Sequence, residues 1–267
     1  MIILDLLHYS FWQRALVAVC CLGLIYGVWG GMVVAKRMAF FSDAISHAAL
    51  TGIAIGLLVG WNPVGLAMVV GVIVALLTIF IKNRTKLNFD TVLGLFLPLA
   101  MALGVIILSF KSGYVPDLMS YLFGNILAVS WSDLWLQLVI GVVSLVWLIF
   151  NYRKMVLLSF DRGLAQAAGI EVEKEEYILA VLLSLVVVAG IKAVGIILVG
   201  ALLVIPAMAA RNLAVNFKQM LVFSGLIGVL SGIIGLVLAA WLDWPSGASI
   251  VVTAAVIFFL SLLKLKK

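Results

Sequence analysis

Charged side chains are scarce in this chain. Only 10% of its 267 residues are Asp, Glu, Lys or Arg, whereas 66% are hydrophobic. A soluble domain carries about 25% charged residues, because a globule of this size needs polar side chains to cover its surface. The composition therefore excludes the soluble, disordered and fibrous classes and leaves a protein that crosses a membrane several times.

Cysteine and histidine are also rare, with two residues of each type. The cysteines, Cys20 and Cys21, are neighbours inside an apolar run, where a strained disulfide between adjacent residues is not expected. The sequence contains no GxxxxGK[ST] phosphate loop, no GxSxG or HExxH motif and no cluster of Cys with His. We therefore expect no catalytic centre, no prosthetic cofactor and no ATP-binding motif, and the chain is not expected to be an enzyme.

Continuous apolar runs of about 20 residues take the place of the alternating pattern that a transmembrane barrel strand would show. Because a helix satisfies its backbone hydrogen bonds internally, these runs predict an all-α polytopic bundle of about eight or nine transmembrane helices. We expect one domain over residues 1–267 and no cleavable signal peptide, because residues 1–10 lack a basic segment. The predicted spans are residues 15–35, 42–60, 63–81, 91–110, 133–150, 177–191, 194–210, 219–242 and 247–263, with a helix at the interface over 114–129.

The basic residues mark one side of the predicted bundle. Of the 17 Lys and Arg residues, all but Arg14, Lys111 and Lys192 fall in alternate loops and at the C-terminus. The positive-inside rule makes this side and the C-terminus cytoplasmic. Nine spans would leave the N-terminus outside and eight would leave it inside, and the sequence leaves both open. Topology explains the net charge of +6, so no nucleic-acid partner is expected. Lys192 is expected to extend its ammonium group to the outer interface, and the alternative is that it lines the outer part of the interrupted pair of spans.

Asp43 and His47 lie four residues apart inside the second apolar run. On a helix they share one face, about 5–6 Å apart, and polar groups at this depth face a bundle interior or a wet cavity. Carboxylate and imidazole together suit zinc or manganese, and a two-fold homodimer would combine two such pairs into four ligands. Ser42 and Ser46 are candidates for supporting the ligands. A local Asp–His helix cap and a proton relay remain alternatives.

The same residues resemble a known family. The pair lies in the segment KRMAFFSDAISHA, residues 36–48, which resembles a segment of permease subunits from metal-uptake ABC transporters of the zinc/manganese family. Ser42 stands where that family usually has Gly. Residues 117–129, 194–207 and 243–249 resemble further segments of the family in the same order, the first of them in its zinc-uptake version.

The resemblance implies a multi-pass permease of the bacterial inner membrane that passes zinc, its transported substrate, to the cytoplasm. Two copies of the chain would form the pore, two cytoplasmic ATPase subunits would supply the energy, and an extracytoplasmic solute-binding protein would deliver the metal. Asp43 and His47 would bind the metal. Manganese or iron as cargo, a permease for a large metal chelate, a proton-coupled carrier and a purely structural subunit are the alternatives.

Residues 159–170 resemble the coupling helix through which such permeases contact their ATPases, with Asp161, Ala165 and Gly169 at the matching positions. Independently of the resemblance, Asp161 can cap the start of a short helix that Gly169 ends. An ordinary connecting loop is the alternative interpretation.

Overall fold

A computed structural model describes residues 8–85, 87–111 and 116–266 of the chain. In these residues it contains thirteen α-helices, two 3-10 turns and no strand, which confirms the all-α prediction. The sequence predictions made for residues 1–7, Lys86, Tyr114, Val115 and Lys267 lie outside the described residues. The helices are α1 Ser10–Ala35, α2 Ala39–Val59, α3 Pro63–Arg84, α4 Phe89–Ser109, α5 Pro116–Phe123, α6 Trp131–Phe150, α7 Tyr152–Phe160, α8 Arg162–Ala167, α9 Val172–Ala189, α10 Ile191–Val194, α11 Val199–Leu213, α12 Phe217–Leu242 and α13 Ser246–Leu262.

Six of these helices, α1 to α4, α6 and α12, are long and apolar enough to cross a membrane. Two shorter apolar helices, α11 and α13, add to them, and α9 carries its charged residues in its first turns. The boundaries follow ordinary capping chemistry. The side chain of Asn62 accepts hydrogen bonds from the backbone N–H groups of Val64 and Gly65, at 3.0 and 3.2 Å, and Pro63 opens α3.

Several helix ends meet on one face of the bundle. Lys82 at the end of α3 pairs with Glu176 at the start of α9, with 2.9 Å between Nζ and Oε1. The amide of Asn212 at the end of α11 donates to the hydroxyl of Ser261 at the end of α13, over 2.9 Å. We call this side, which also holds Lys36, the basic face. Since both the start of α9 and the end of α11 lie there, the two helices cross the bundle in opposite directions.

The connection from α9 to α11 lies on the opposite face, where the helical path breaks at Gly195. Gly195 has φ +94°, and α10 ends just before it. The backbone N–H of Ile196 donates to the carbonyl of Tyr121 at 2.9 Å, and that of Asn125 donates to the carbonyl of Lys192 at 3.1 Å. These bonds satisfy backbone groups that the break leaves open, as a bilayer requires.

The predicted interfacial helix over 114–129 is wrong as one continuous element. In the described part of that stretch, the chain forms α5 and a 3-10 turn at Ile126–Ala128, separated by Gly124. Gly124 has φ +70°, and a Cβ there would overlap the backbone of Val194 and Gly195. The close approach of these two chain segments therefore requires glycine at the break.

Lys192 does not simply extend to the interface as the sequence predicted. Its Nζ lies 2.7 Å from Oδ2 of Asp133, which also accepts a hydrogen bond from the Ser130 hydroxyl at the start of α6. The pair links the α9–α11 turn to α6 on the face opposite the basic face. No local sequence pattern predicts this ion pair, because the two residues are 59 positions apart.

Candidate metal site

Asp43 and His47 lie in the first half of α2, one helical turn apart. Most residues around them in α2 are buried, but both of these side chains are only half-buried. Phe40, which precedes Asp43 by three residues, is 58% exposed. The three side chains therefore form a stripe on this half-helix that the described residues cover only in part, as their spacing predicts.

Neither polar side chain of the pair is used for local structure. No side chain caps the start of α2, and within the described residues Asp43 and His47 make no hydrogen bond or ion pair with each other or with another group. Nδ1 of His47 is buried without a hydrogen-bond partner in the same part of the chain. Buried polar atoms are normally satisfied, so this one needs an explanation. The geometry disfavours the local Asp–His cap.

Gly200, at the start of α11, lies directly against the Asp43 carboxylate. A Cβ at Gly200 would overlap Oδ1 of Asp43, and it would come within 3.4 Å of the Ser42 hydroxyl. The break before α11 thus brings a backbone without a side chain up to the carboxylate. In the sequence, Gly200 stands out only as part of residues 194–207, the segment that resembles the permease family.

The two serines of the predicted site have a different role from the one expected. The hydroxyl of Ser42 donates to the carbonyl of Ala39 at 3.1 Å, and that of Ser46 donates to the carbonyl of Asp43 at 2.9 Å. Both are fully buried. Their protons are therefore committed to the α2 backbone rather than to the side chains of Asp43 and His47.

In the described part of one copy, Asp43 and His47 are the two candidate ligands. Among the residues that the structure describes, no group of three or more His, Cys, Asp or Glu is close enough to hold a metal ion. A protein site for a transition metal generally uses at least three protein ligands. The Asp43–His47 pair is therefore half of a site at most.

The predicted coupling segment has the local structure expected from the sequence. Oδ1 of Asp161 accepts hydrogen bonds from the N–H groups of Gly163 and Leu164, at 2.7 and 3.0 Å, and so caps α8. Ala165 is fully buried, whereas Leu164 is 60% exposed. Gly169 has φ +78° and follows the end of α8. The short helix therefore presents an apolar side chain outward on a well-capped frame.

The cap provides a test that separates charge from geometry. Asp161→Ala removes the acceptor and should destabilise α8 locally by about 1 kcal/mol. Asp161→Asn keeps a side-chain oxygen that caps equally well. We expect metal uptake to fall several-fold in the alanine variant and to remain near the wild-type rate in the asparagine variant. Equal loss in both variants would mean that the carboxylate charge, rather than the cap, is what matters.

An ion-pair network attaches this segment to the bundle, and sequence reasoning missed it. Glu176 is 8% exposed and binds Lys82, while its second oxygen lies 3.6 Å from the Arg162 guanidinium at the start of α8. Arg162 also donates to the side-chain oxygen of Asn83 at 3.2 Å. Adjacent Glu175 is equally buried but pairs with Lys154, whose side chain is 50% exposed. The sequence pattern that could have indicated this network is the pair of acidic residues near the start of α9, which lies beside basic loops.

The two glutamates make a matched pair for a stability measurement. Glu176→Gln leaves Lys82 and Arg162 without a counter-charge in a half-buried site, which should cost about 2 kcal/mol. Glu175→Gln leaves only the well-hydrated Lys154 without a counter-charge, so its cost in folding free energy should be clearly smaller. Melting temperatures of the purified variants in one detergent check this expectation. Equal shifts would show that the Arg162 contact contributes nothing beyond an ordinary ion pair.

Comparison with known proteins identifies the family. The model of the ABC 3 transport family matches residues 8–265. The chain belongs to this family. The manganese transport system membrane protein MntC of Halalkalibacterium halodurans is 40% identical over 257 residues, covering 96% of this chain and 88% of that protein. The high-affinity zinc uptake system membrane protein ZnuB of Haemophilus influenzae is 35% identical over 251 residues, covering 94% and 96%.

A solved structure supports the same assignment. PsaBC from Streptococcus pneumoniae, solved in complex with Fab, matches with a TM-score of 0.87 and 34% sequence identity, covering 99% of this chain and 98% of that one. The expected fold type, an all-α ABC permease, is confirmed. The chain is thus a multi-pass permease subunit of an ABC transporter, and metal transport is the function of the relatives named above.

Proposed function

We propose that this chain is the permease of a bacterial importer for a divalent transition metal, and that the metal passes Asp43 and His47. The observation that carries this proposal is the unpartnered pair itself. Ionisable groups at this depth are costly and generally mark functional sites, and the described part of the chain supplies neither of these two with a partner.

The half-complete site supports a symmetric dimer. A second copy related by a two-fold axis would add a second carboxylate and a second imidazole, which gives two oxygen and two nitrogen ligands. Because this chain encloses His47 Nδ1, the other ring nitrogen, Nε2, would be the ligand for a metal shared with the second copy. In that assembly, the exposed stripe on α2 would face the shared axis rather than lipid.

Energy would come from separate subunits. The chain has no phosphate-loop motif, so two ATPase subunits on the basic face would have to hydrolyse the ATP. The α8 segment, with Asp161, Ala165 and Gly169, is the proposed contact with them. This arrangement makes the basic face and the C-terminus cytoplasmic, in line with the charge distribution, and a solute-binding protein would deliver metal to the opposite face.

For the cargo, manganese is placed ahead of zinc. The manganese permease of H. halodurans shares 40% of aligned residues with this chain, against 35% for the zinc permease of H. influenzae. Zinc, which the sequence favoured, remains the second candidate because two carboxylates and two imidazoles also make a tetrahedral zinc site.

The experiment is uptake into proteoliposomes containing the permease, its ATPase and its solute-binding protein, with ATP inside. Radioactive manganese and zinc are supplied separately and then in competition. ATP-dependent uptake of manganese with weak zinc uptake supports the first candidate, and the reverse supports the second. Liposomes with this chain alone and a pH gradient provide the contrast, because uptake there would establish a proton-coupled carrier and overturn the proposal.

A further inference from the structure

A cavity of about 550 Å³ opens on the basic face, apart from the metal site. It lies between the α1–α2 turn, the end of α7, the end of α11 and the start of α12. Three cationic side chains line it, from Lys36, Arg37 and Arg211. The remaining walls are apolar or neutral, and no Asp or Glu contributes to the lining. The chemistry of the walls thus favours an anion.

The three cations form no ion pair with the described part of the chain. None of them makes an ion pair within 4.0 Å of a described carboxylate. The acid that faces Lys36 from the neighbouring cavity, Glu176, is already shared by Lys82 and Arg162. Burial of Lys36 and the nearby positive charges of Lys82 and Arg162 outweigh Glu176 and lower the pKa of Lys36 to about 8. Positive charge therefore accumulates here without compensation.

The backbone at Arg37 gives an independent indication. Arg37 has φ +55°, in the left-handed region that glycine adopts freely and arginine adopts at a cost. The turn is held there by backbone hydrogen bonds, from the Arg37 N–H to the carbonyl of Val34 at 3.2 Å and from the Met38 N–H to that of Val33 at 2.9 Å. Strain retained at a bulky residue is a reason to look for a function of its side chain.

We infer that this cavity binds a phosphate group, supplied by an anionic lipid headgroup or by a free phosphate compound. Arginine guanidinium groups match phosphate oxygens in paired hydrogen bonds, and the Lys36 ammonium adds a point charge from the buried side. Arg37 lies two residues before the first residue of α2, and Arg211 lies in the last turn of α11. The bound phosphate bridges the ends of the two helices that carry Asp43 and Gly200.

The decisive variant is Arg37→Gly. Glycine relieves the backbone strain, so a purely structural role for residue 37 predicts unchanged or higher stability and no effect on ligands. A binding role predicts at least a tenfold loss of phosphate affinity at unchanged melting temperature. Arg211→Gln should lose affinity similarly. Lys218→Gln is the matched control, because Lys218 is an exposed cation near the start of α12 that does not line this cavity.

The full chain is measured in nanodiscs by two routes. Calorimetric titration with inorganic phosphate in phosphatidylcholine discs tests a free compound, and native mass spectrometry of protein from discs containing phosphatidylglycerol tests a retained lipid. Binding by the first route assigns a free phosphate, and retention by the second route alone assigns a headgroup, provided that both arginine variants lose it and Lys218→Gln does not.

Three results overturn the inference. The first is no binding by either route, and the second is binding that the arginine variants leave unchanged. The third is a combined result: addition of the ATPase releases the bound anion, and residue 37 crosslinks to the ATPase in a way that depends on the charge of Arg37. The cavity would then be a contact surface for the ATPase rather than a phosphate site. None of these measurements depends on metal transport, so they stand whether or not the proposed cargo is correct.

Discussion

Replacing Asp43 by asparagine should abolish ATP-dependent metal uptake, with at least a hundredfold loss expected from the assembled transporter. Asparagine has nearly the same size and keeps one oxygen, but it lacks the charge that makes a carboxylate a strong ligand for manganese or zinc. In a symmetric dimer, one substitution removes two ligands of the four. The loss should therefore exceed that of an ordinary single-ligand change.

The control for this variant is Ser46→Ala. Ser46 lies in the same turn of α2, is fully buried, and donates its hydroxyl proton to the backbone carbonyl of Asp43. Its replacement should leave uptake within about twofold, since only a hydrogen bond inside the helix is lost. Expression and assembly with the ATPase are measured alongside. Wild-type uptake by a normally expressed Asp43→Asn permease would remove Asp43 from the metal path.

Gly200→Ala is the second substitution with a large expected effect. A methyl group at position 200 would overlap Oδ1 of Asp43, so either the carboxylate must rotate away or α11 must shift from α2. Ligand positions matter on a scale of about 0.5 Å. We therefore expect uptake to fall at least tenfold, with weakened metal binding measured by calorimetry on the purified protein.

Gly94→Ala separates this effect from the general cost of changing a glycine in a membrane helix. A Cβ at Gly94 would meet no atom within 4 Å, and the residue lies inside α4. Alanine is the better helix former, so the variant should be as stable as the parent or more so. If the Gly200→Ala variant transports metal normally, the Asp43 carboxylate can move aside without loss of function. Gly200 then has no part in positioning Asp43.

Features that depend on residues close together in the sequence could be predicted from it. The helices, the spacing of Asp43 and His47, and the Asp161 cap all follow from patterns within a few residues, and the structure contains each of them. Position on one helix face follows from the 3.6-residue period alone. The metal-binding role of the pair and the ATPase role of α8 stay predictions.

The features that could not be predicted from the sequence are contacts between residues far apart along the chain. Gly200 meets Asp43 because α11 packs against α2, and no local pattern specifies which helices pack together. Lys192 finds Asp133, and Arg162 finds Glu176, in the same way. The interfacial helix over 114–129 was wrong for a related reason, since its break at Gly124 is imposed by a distant segment of chain.

That break has a mechanical consequence. At Gly124 and Gly195 two backbones approach so closely that neither position has room for a methyl group, and a Cβ at Gly247 would come within 2.8 Å of the Val194 carbonyl. Contacts of this kind between main chains leave no side chains that could slide or re-pack. Any opening of the bundle on that side must therefore move the three segments together as one rigid unit.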